Sequence, residues 1–314
     1  MRVLLIRFSS IGDLVLCSPV IRALRVQTGC ELHVLTKHQF ATVLEADPHI
    51  HRIHTFAENW NSLLPTLRAL RFDHVVDLHK NWRSLRVRRA LGVPATSFPK
   101  LNIEKWLRVR LGIDRLPDRH LVDRYFEAVA RLGVRNDGEG LAYHLPDDTR
   151  LPPDFPKGDY TAFAIGGAHA TKRLPPDRLA ELLDRLPRPV VLLGGPTDAQ
   201  RGQALARDGV FNYCGTFTLH QSALALRHAR RVYTHDTGMM HIAAAFQRPI
   251  VSFWGNTIPA FGMYPYYGDQ PDRAVRMEVT GLRCRPCSKI GYARCPKGHF
   301  RCMRAIDFDA IPEG

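Results

Sequence analysis

The chain lacks any apolar run approaching the roughly 18–20 residues of a membrane span. Its short apolar start, residues 1–6, meets Arg7 and polar residues at once, and no small-residue cleavage site follows. The expectation is a cytoplasmic protein, able to touch the inner membrane surface only peripherally. No low-complexity tract and no repeat of fixed period occurs, which excludes solenoids and fibres. The G-x-G-x-x-G of dinucleotide folds and the G-x-x-x-x-G-K of P-loops are both absent. Acid is in short supply: 30 Asp and Glu stand against 44 Lys and Arg, a formal net charge of +14. Such a surplus points to an anionic partner or to a merely solvated basic surface. It is densest over residues 80–119, where eleven Lys or Arg face three acids. Their spacing suggests one or two helices with cationic faces. No zinc-finger or RNA-binding signature accompanies them, and aromatics do not alternate with the arginines as on a stacking platform, so no nucleic acid is expected.

What is present is alternation. Residues 2–8 (RVLLIRF) predict a strand, 9–13 (SSIGD) a polar loop, and 14–27 a helix. Strands at 31–36 and 74–78 follow, with helices at 63–70, 103–111 and 121–132. Residues 145–159 (LPDDTRLPPDFPKGD) lose all periodicity and read as a linker. A second series then begins. Strands are expected at 161–165, 189–193, 231–234 and 249–253, with helices at 177–186, 197–207, 219–229 and 239–246. This pattern predicts an α/β protein of two Rossmann-like domains, 1–150 and 151–314, with a cleft between them.

Ligands of open α/β sheets bind beyond the carboxyl ends of strands, so three loops stand out. Ser9, Ser10, Gly12 and Asp13 offer hydroxyls, close backbone approach and a carboxylate, although Asp13 equally suits a helix cap. Gly166 and Gly167 can turn backbone N–H groups to an anion, and Lys172 supplies a point charge. Asp236, Thr237 and Gly238 open a small-residue helix whose free N–H groups suit a diphosphate. His241 lies on the same helix turn as Thr237, where a buried structural histidine is an equal reading.

SSIGD, GG…KRLP and HDTGMMHIAAAFQRPIVSFWGNT resemble, in order and over nearly the whole chain, glycosyltransferase family 9, the ADP-heptose:lipopolysaccharide heptosyltransferases. The resemblance implies the GT-B fold, with two domains facing across a cleft. It implies inverting transfer of heptose from ADP-heptose to Kdo or heptose of the lipopolysaccharide inner core. Asp13 takes the place of the catalytic base, with Ser9, Ser10 and Gly12 around it. Lys172 matches the lysine at the donor diphosphate. Asp236, Thr237 and Gly238 match the donor loop, supported by His241. Asn81 and Arg83, in DLHKNWRS, match the acceptor-binding stretch. The small residues Gly166, Gly167 and Ala168 stand where well-known members carry hydroxyls, and the chain ends soon after Ala305. A GT-B epimerase, a transferase using another nucleotide sugar, and a non-catalytic nucleotide-sugar or nucleic-acid binding module are the competing readings.

Cys284, Cys287, Cys295 and Cys302, with His299 between the last two, follow none of the standard finger spacings. They fit a structural zinc site, a set of reduced thiols, or a disulfide that a cytosolic setting disfavours. The reaction itself calls for no cofactor.

Overall fold

The structure is a computed structural model that describes residues 1–57 and 59–312. The chain opens with β1 (Arg2–Ile6), whose RVLLI sequence is apolar on both faces, as befits a central parallel strand. The helix expected over 14–27 is two helices, α1 (Ile11–Val15) and α2 (Ser18–Thr28). Pro19 has no N–H to continue the first, and it suits the opening turn of the second. Gly29, at φ 62°, closes α2 by donating to the Arg25 carbonyl.

Then come β2 (Glu31–Lys37), β3 (Arg52–Phe56), α3 (Trp60–Ala69), β4 (His74–Asp77), α4 (Trp82–Leu91) and β5 (Ala95–Ser97). The cationic helices foreseen from charge spacing are α4 and α5 (Asn102–Leu111). The helix expected over 121–132 is shorter: α6 (Leu121–Phe126) gives way to a separate 3-10 turn at Ala130–Leu132. The first sheet is wholly parallel in the order β3-β2-β1-β4-β5. Leu4, Ile6, Phe8, Leu35, Leu67, Val75 and Val87 form one core beneath it.

The second series runs β6 (Thr161–Ala164), α7 (Pro176–Arg185), β7 (Val190–Leu193), α8 (Ala199–Leu205), β8 (Val210–Asn212), α9 (Leu219–His228), β9 (Arg231–His235), α10 (Gly238–Ala245), β10 (Ile250–Trp254), β11 (Ala274–Glu278) and α11 (Arg301–Arg304). Its sheet is also parallel, in the order β11-β10-β9-β6-β7-β8. Phe163, Leu179, Leu183, Leu192, Phe253 and Met303 pack its core.

Two compact units result. The first comprises Met1–Lys100, Arg119–Pro146 and Gly268–Gln270; the second comprises Leu101–Asp118, Asp147–Tyr267 and the chain from Pro271 on. The passage from Pro146 to Asp147 falls in the expected linker. Residues Leu101–Asp118 nevertheless cluster with the second unit, ahead of that linker. Within that unit Lys105 Nζ lies 5.6 Å from the Phe261 ring centroid.

Candidate functional site

In the first unit β1 lies between β2 and β4. The chain leaves β1 to one side and β4 to the other, so the loops at their carboxyl ends diverge and open a crevice. Arg7 bridges those two loops. Its Nε donates to the Ser9 carbonyl at 2.8 Å, another nitrogen donates to the Leu78 carbonyl, and the third pairs with Asp13 Oδ1. Burial works against the Arg7 charge. The Asp13 carboxylate, with smaller help from Tyr125, Cys17 and Asp77, more than offsets it and raises the guanidinium pKa.

Asp13 Oδ2 accepts from the Ser10 N–H at 3.0 Å and the Ser10 hydroxyl at 2.9 Å. Asp13 therefore does cap its helix. The same contacts fix the carboxylate at the crevice, its side chain still 17 % exposed. Capping and base catalysis are compatible here. Ser9 and Ser10 are joined by a cis peptide.

On the β4 side, Asp77 Oδ1 accepts the N–H groups of His79 at 3.0 Å and Lys80 at 2.7 Å, which folds the DLHK turn. Asn81 Oδ1 caps α4 by accepting the Ser84 N–H at 3.0 Å. Of the Asn81 amide, only the nitrogen is then left for an acceptor. Arg83 lies over the Trp82 ring, 5.1 Å from its centroid. His79 meets the edge of Phe8 with centroids 5.2 Å apart. Burial lowers its pKa to about 3, with Arg7 and Lys100 adding to the effect, so the imidazole beside Asp13 is neutral.

In the second unit β6 and β9 are neighbours at the corresponding switch point. The loops that leave them carry the residues expected for the donor, and they meet. Lys172 Nζ lies 2.6 Å from Asp236 Oδ2 and 3.3 Å from the Asp236 carbonyl oxygen. Thr257 donates to the same Asp236 Oδ2 at 2.8 Å. Thr237 is the extended residue before α10, its hydroxyl 3.4 Å from that of Thr234. A Cβ on Gly166 would sit only 2.5 Å from Asp198 Oδ2, and one on Gly167 3.1 Å from the Arg173 side chain. Gly166 therefore lets the loop after β6 close on Asp198, which follows β7.

His235, at the end of β9, ties this arrangement together. Its Nε2 accepts the Leu174 N–H at 3.0 Å, so Nδ1 carries the proton and donates to the Gly166 carbonyl at 3.2 Å. Burial lowers its pKa to about 3. His241 is buried on α10. Asn256, next to Thr257, is buried with neither amide atom partnered. A cavity of about 710 Å³ in this unit is lined by Thr161 and Arg231 at the amino ends of β6 and β9. It therefore lies at the other end of the strands from these loops.

Arg7, His79, His235 and Thr257 were not singled out from sequence. Arg7 and His235 sit at strand ends, where buried charge and imidazole read as ordinary strand residues until their partners are known. The pairing of Lys172 with Asp236 was also unforeseen.

In the cysteine-rich segment, Cys284 Sγ is 3.8 Å from His299 Nε2. Burial raises the Cys287 thiol pKa, and the neighbouring Cys295 and Cys284 add to it. Burial likewise pushes Cys302 up to about 11. Among the described residues, the groups of three whose ligand atoms lie within 4.8 Å of one another are Glu31, His33 and His51, and Asp47, His49 and His144. The cysteines lie near one another without reaching that spacing.

A family model described as "Glycosyltransferase family 9 (heptosyltransferase)" matches residues 60–289. Lipopolysaccharide heptosyltransferase 1 of Pseudomonas aeruginosa is 26 % identical over 92 % of this chain and 86 % of its own length. The structure of ADP-heptose LPS heptosyltransferase II from E. coli superposes with a TM-score of 0.68 at 21 % identity, covering 97 % of this chain and 98 % of that one. The structure of E. coli heptosyltransferase WaaC with ADP gives 0.65 at 22 %, covering 88 % and 93 %. These likenesses make the two-sheet architecture the GT-B fold. With the family model matching well over half of its residues and the family's motifs standing at both switch points, the chain belongs to glycosyltransferase family 9.

Proposed function

We propose that the protein transfers heptose from ADP-heptose to the Kdo or heptose of a lipopolysaccharide inner core, at the cytoplasmic face of a membrane. The observation that carries this reading is the junction of Lys172, Asp236 and Thr237 at the start of α10. A cation, a hydroxyl and the free N–H groups of a helix end are gathered there for a diphosphate. The similar WaaC structure was solved with ADP, which supports the choice of nucleotide.

The acceptor hydroxyl attacks the anomeric carbon from the face opposite the diphosphate. The new C–O bond forms as the bond to ADP breaks, the configuration inverts, and the hydroxyl proton passes to Asp13. The Asp13 oxygens are oriented by Ser10 and Arg7 before substrate arrives. Lys172 and the α10 N-terminus take up the charge on the leaving diphosphate, so this route assigns that work to protein groups. Arg83 and the Asn81 amide nitrogen are the acceptor-side groups for its carboxylates and phosphates.

The test is mass spectrometry of a reaction containing ADP-heptose and a Kdo-bearing acceptor. One added heptose with inverted configuration is expected. Free heptose released equally without acceptor would instead indicate an epimerase-like hydrolysis.

A further inference from the structure

Helix α5 is built inside out. None of its residues is buried. Ile103 is 72 % exposed, Trp106 54 % and Leu111 57 %, and Ile113 just beyond is 43 % exposed. At about 100° per residue, Val109, Trp106, Ile103, Leu107 and Leu111 share one arc, while Glu104, Lys105 and Arg108 share the other. The charged arc is turned inward, with Leu107 and Val109 at its edges half-buried as well, which leaves Ile103, Trp106 and Leu111 as the outward apolar residues. Glu104, Lys105 and Arg108 are half-buried, Lys105 covers the Phe261 ring, and Arg108 donates to the Gly112 carbonyl at 3.2 Å. A surface helix ordinarily does the reverse.

The helix is set off by Leu101 and Gly112, both left-handed, at φ 53° and 69°. Arg110, within the apolar arc, and Arg115 beyond it are exposed and make no ion pair among the described residues.

We propose that α5 is a membrane-docking helix lying in the interfacial plane of an anionic bilayer. Trp106, Ile103 and Leu111 enter the acyl boundary, and Arg110 and Arg115 reach the headgroups. An apolar face with basic residues at its rim suits that environment. A second copy of the chain suits it poorly. Residues 100–119 hold six Lys or Arg against three acids, and a two-fold contact would set that excess against itself. The proposal rests on the reading that the acceptor is lipid-linked, and it names the surface that brings the enzyme to it.

The experiment is co-sedimentation of the full-length protein with vesicles of phosphatidylcholine alone or with phosphatidylglycerol added, beside transfer to a delipidated core oligosaccharide. Wild type is expected to bind the anionic vesicles, and more weakly in high salt. The double variant Ile103→Ser/Trp106→Ser should lose about tenfold or more in vesicle affinity. Its melting temperature and its transfer to the delipidated acceptor should be kept, because neither residue is buried. Wild type that ignores anionic vesicles, or a double variant that binds them equally, overturns the proposal. So does a wild-type dimer in light scattering that the double variant abolishes, since the face would then belong to a second copy. Vesicle binding through α5 with no sugar transfer would support the docking helix and sink the transfer reading.

Discussion

Arg7 and Asp13 form an ion pair at the end of β1, the guanidinium buried and the carboxylate partly open to the crevice. Asp13→Asn therefore does two things. It removes the proposed base, for which turnover should fall by roughly two to four orders of magnitude. It also strands a buried Arg7, on the order of 3 kcal/mol of lost stability, so the melting temperature should drop as well. The double variant Arg7→Met/Asp13→Asn should recover much of the melting temperature and none of the activity. Calorimetry and initial rates on the folded fraction separate the two effects. A double variant as unstable as Asp13→Asn would show that the pair is not what couples them.

In the proposed site Asp236 and the donor diphosphate would compete for Lys172. Lys172→Ala should weaken ADP binding by about tenfold or more, the scale of a hydrogen bond to a charged group. Asp236→Asn should leave ADP affinity equal or stronger, because the lysine is freed from its 2.6 Å partner. Titration calorimetry with ADP reads both. Parallel losses in the two variants would mean that Asp236 orders the loop rather than restrains the lysine.

Arg83, proposed above for the acceptor, lies in the other unit from Lys172 and Asp236. Arg83→Ala should raise KM for the acceptor several-fold and leave that for ADP-heptose unchanged. An equal rise in both would remove the acceptor assignment.

His235 is neutral in the fold, its pKa lowered from 6.5 to about 3. A group so lowered binds fewer protons folded than unfolded. Its hydrogen bonds are therefore fully effective above about pH 6.5 and lose ground as pH falls toward 3. Melting temperature should decline across pH 6.5 to 4, and the decline should be shallower in His235→Gln. An identical slope in the variant would assign the effect elsewhere, to His79 or to His54, whose pKa burial lowers to about 4.

We propose that Cys284, Cys287, Cys295 and Cys302 close on a structural zinc ion. Elemental analysis should find about one equivalent, consistent with a four-ligand site, and a chelator should lower the melting temperature without changing the rate per folded molecule. Metal-free protein of unchanged stability would retire the site.

The two-domain α/β architecture was legible because parallel strands buried on both faces are near-continuous apolar runs, as in RVLLI and IVSFW. Asp13, Lys172 and Thr237 stood out as candidates because such folds bind ligands where strands end and polar or glycine residues begin. The short edge strands β5 and β8 were not, since three residues carry no period. Nor were the pairings visible. Arg7 and Asp13 are brought together by the turn at Ser9 and Ser10, and Lys172 meets Asp236 only because β6 and β9, far apart in the chain, are neighbours in the sheet. The sequence by itself determined which chemical groups stand at the strand ends. The strand order decided which of them touch, because electrostatics and hydrogen bonding act over a few ångströms of space and take no account of distance along the chain.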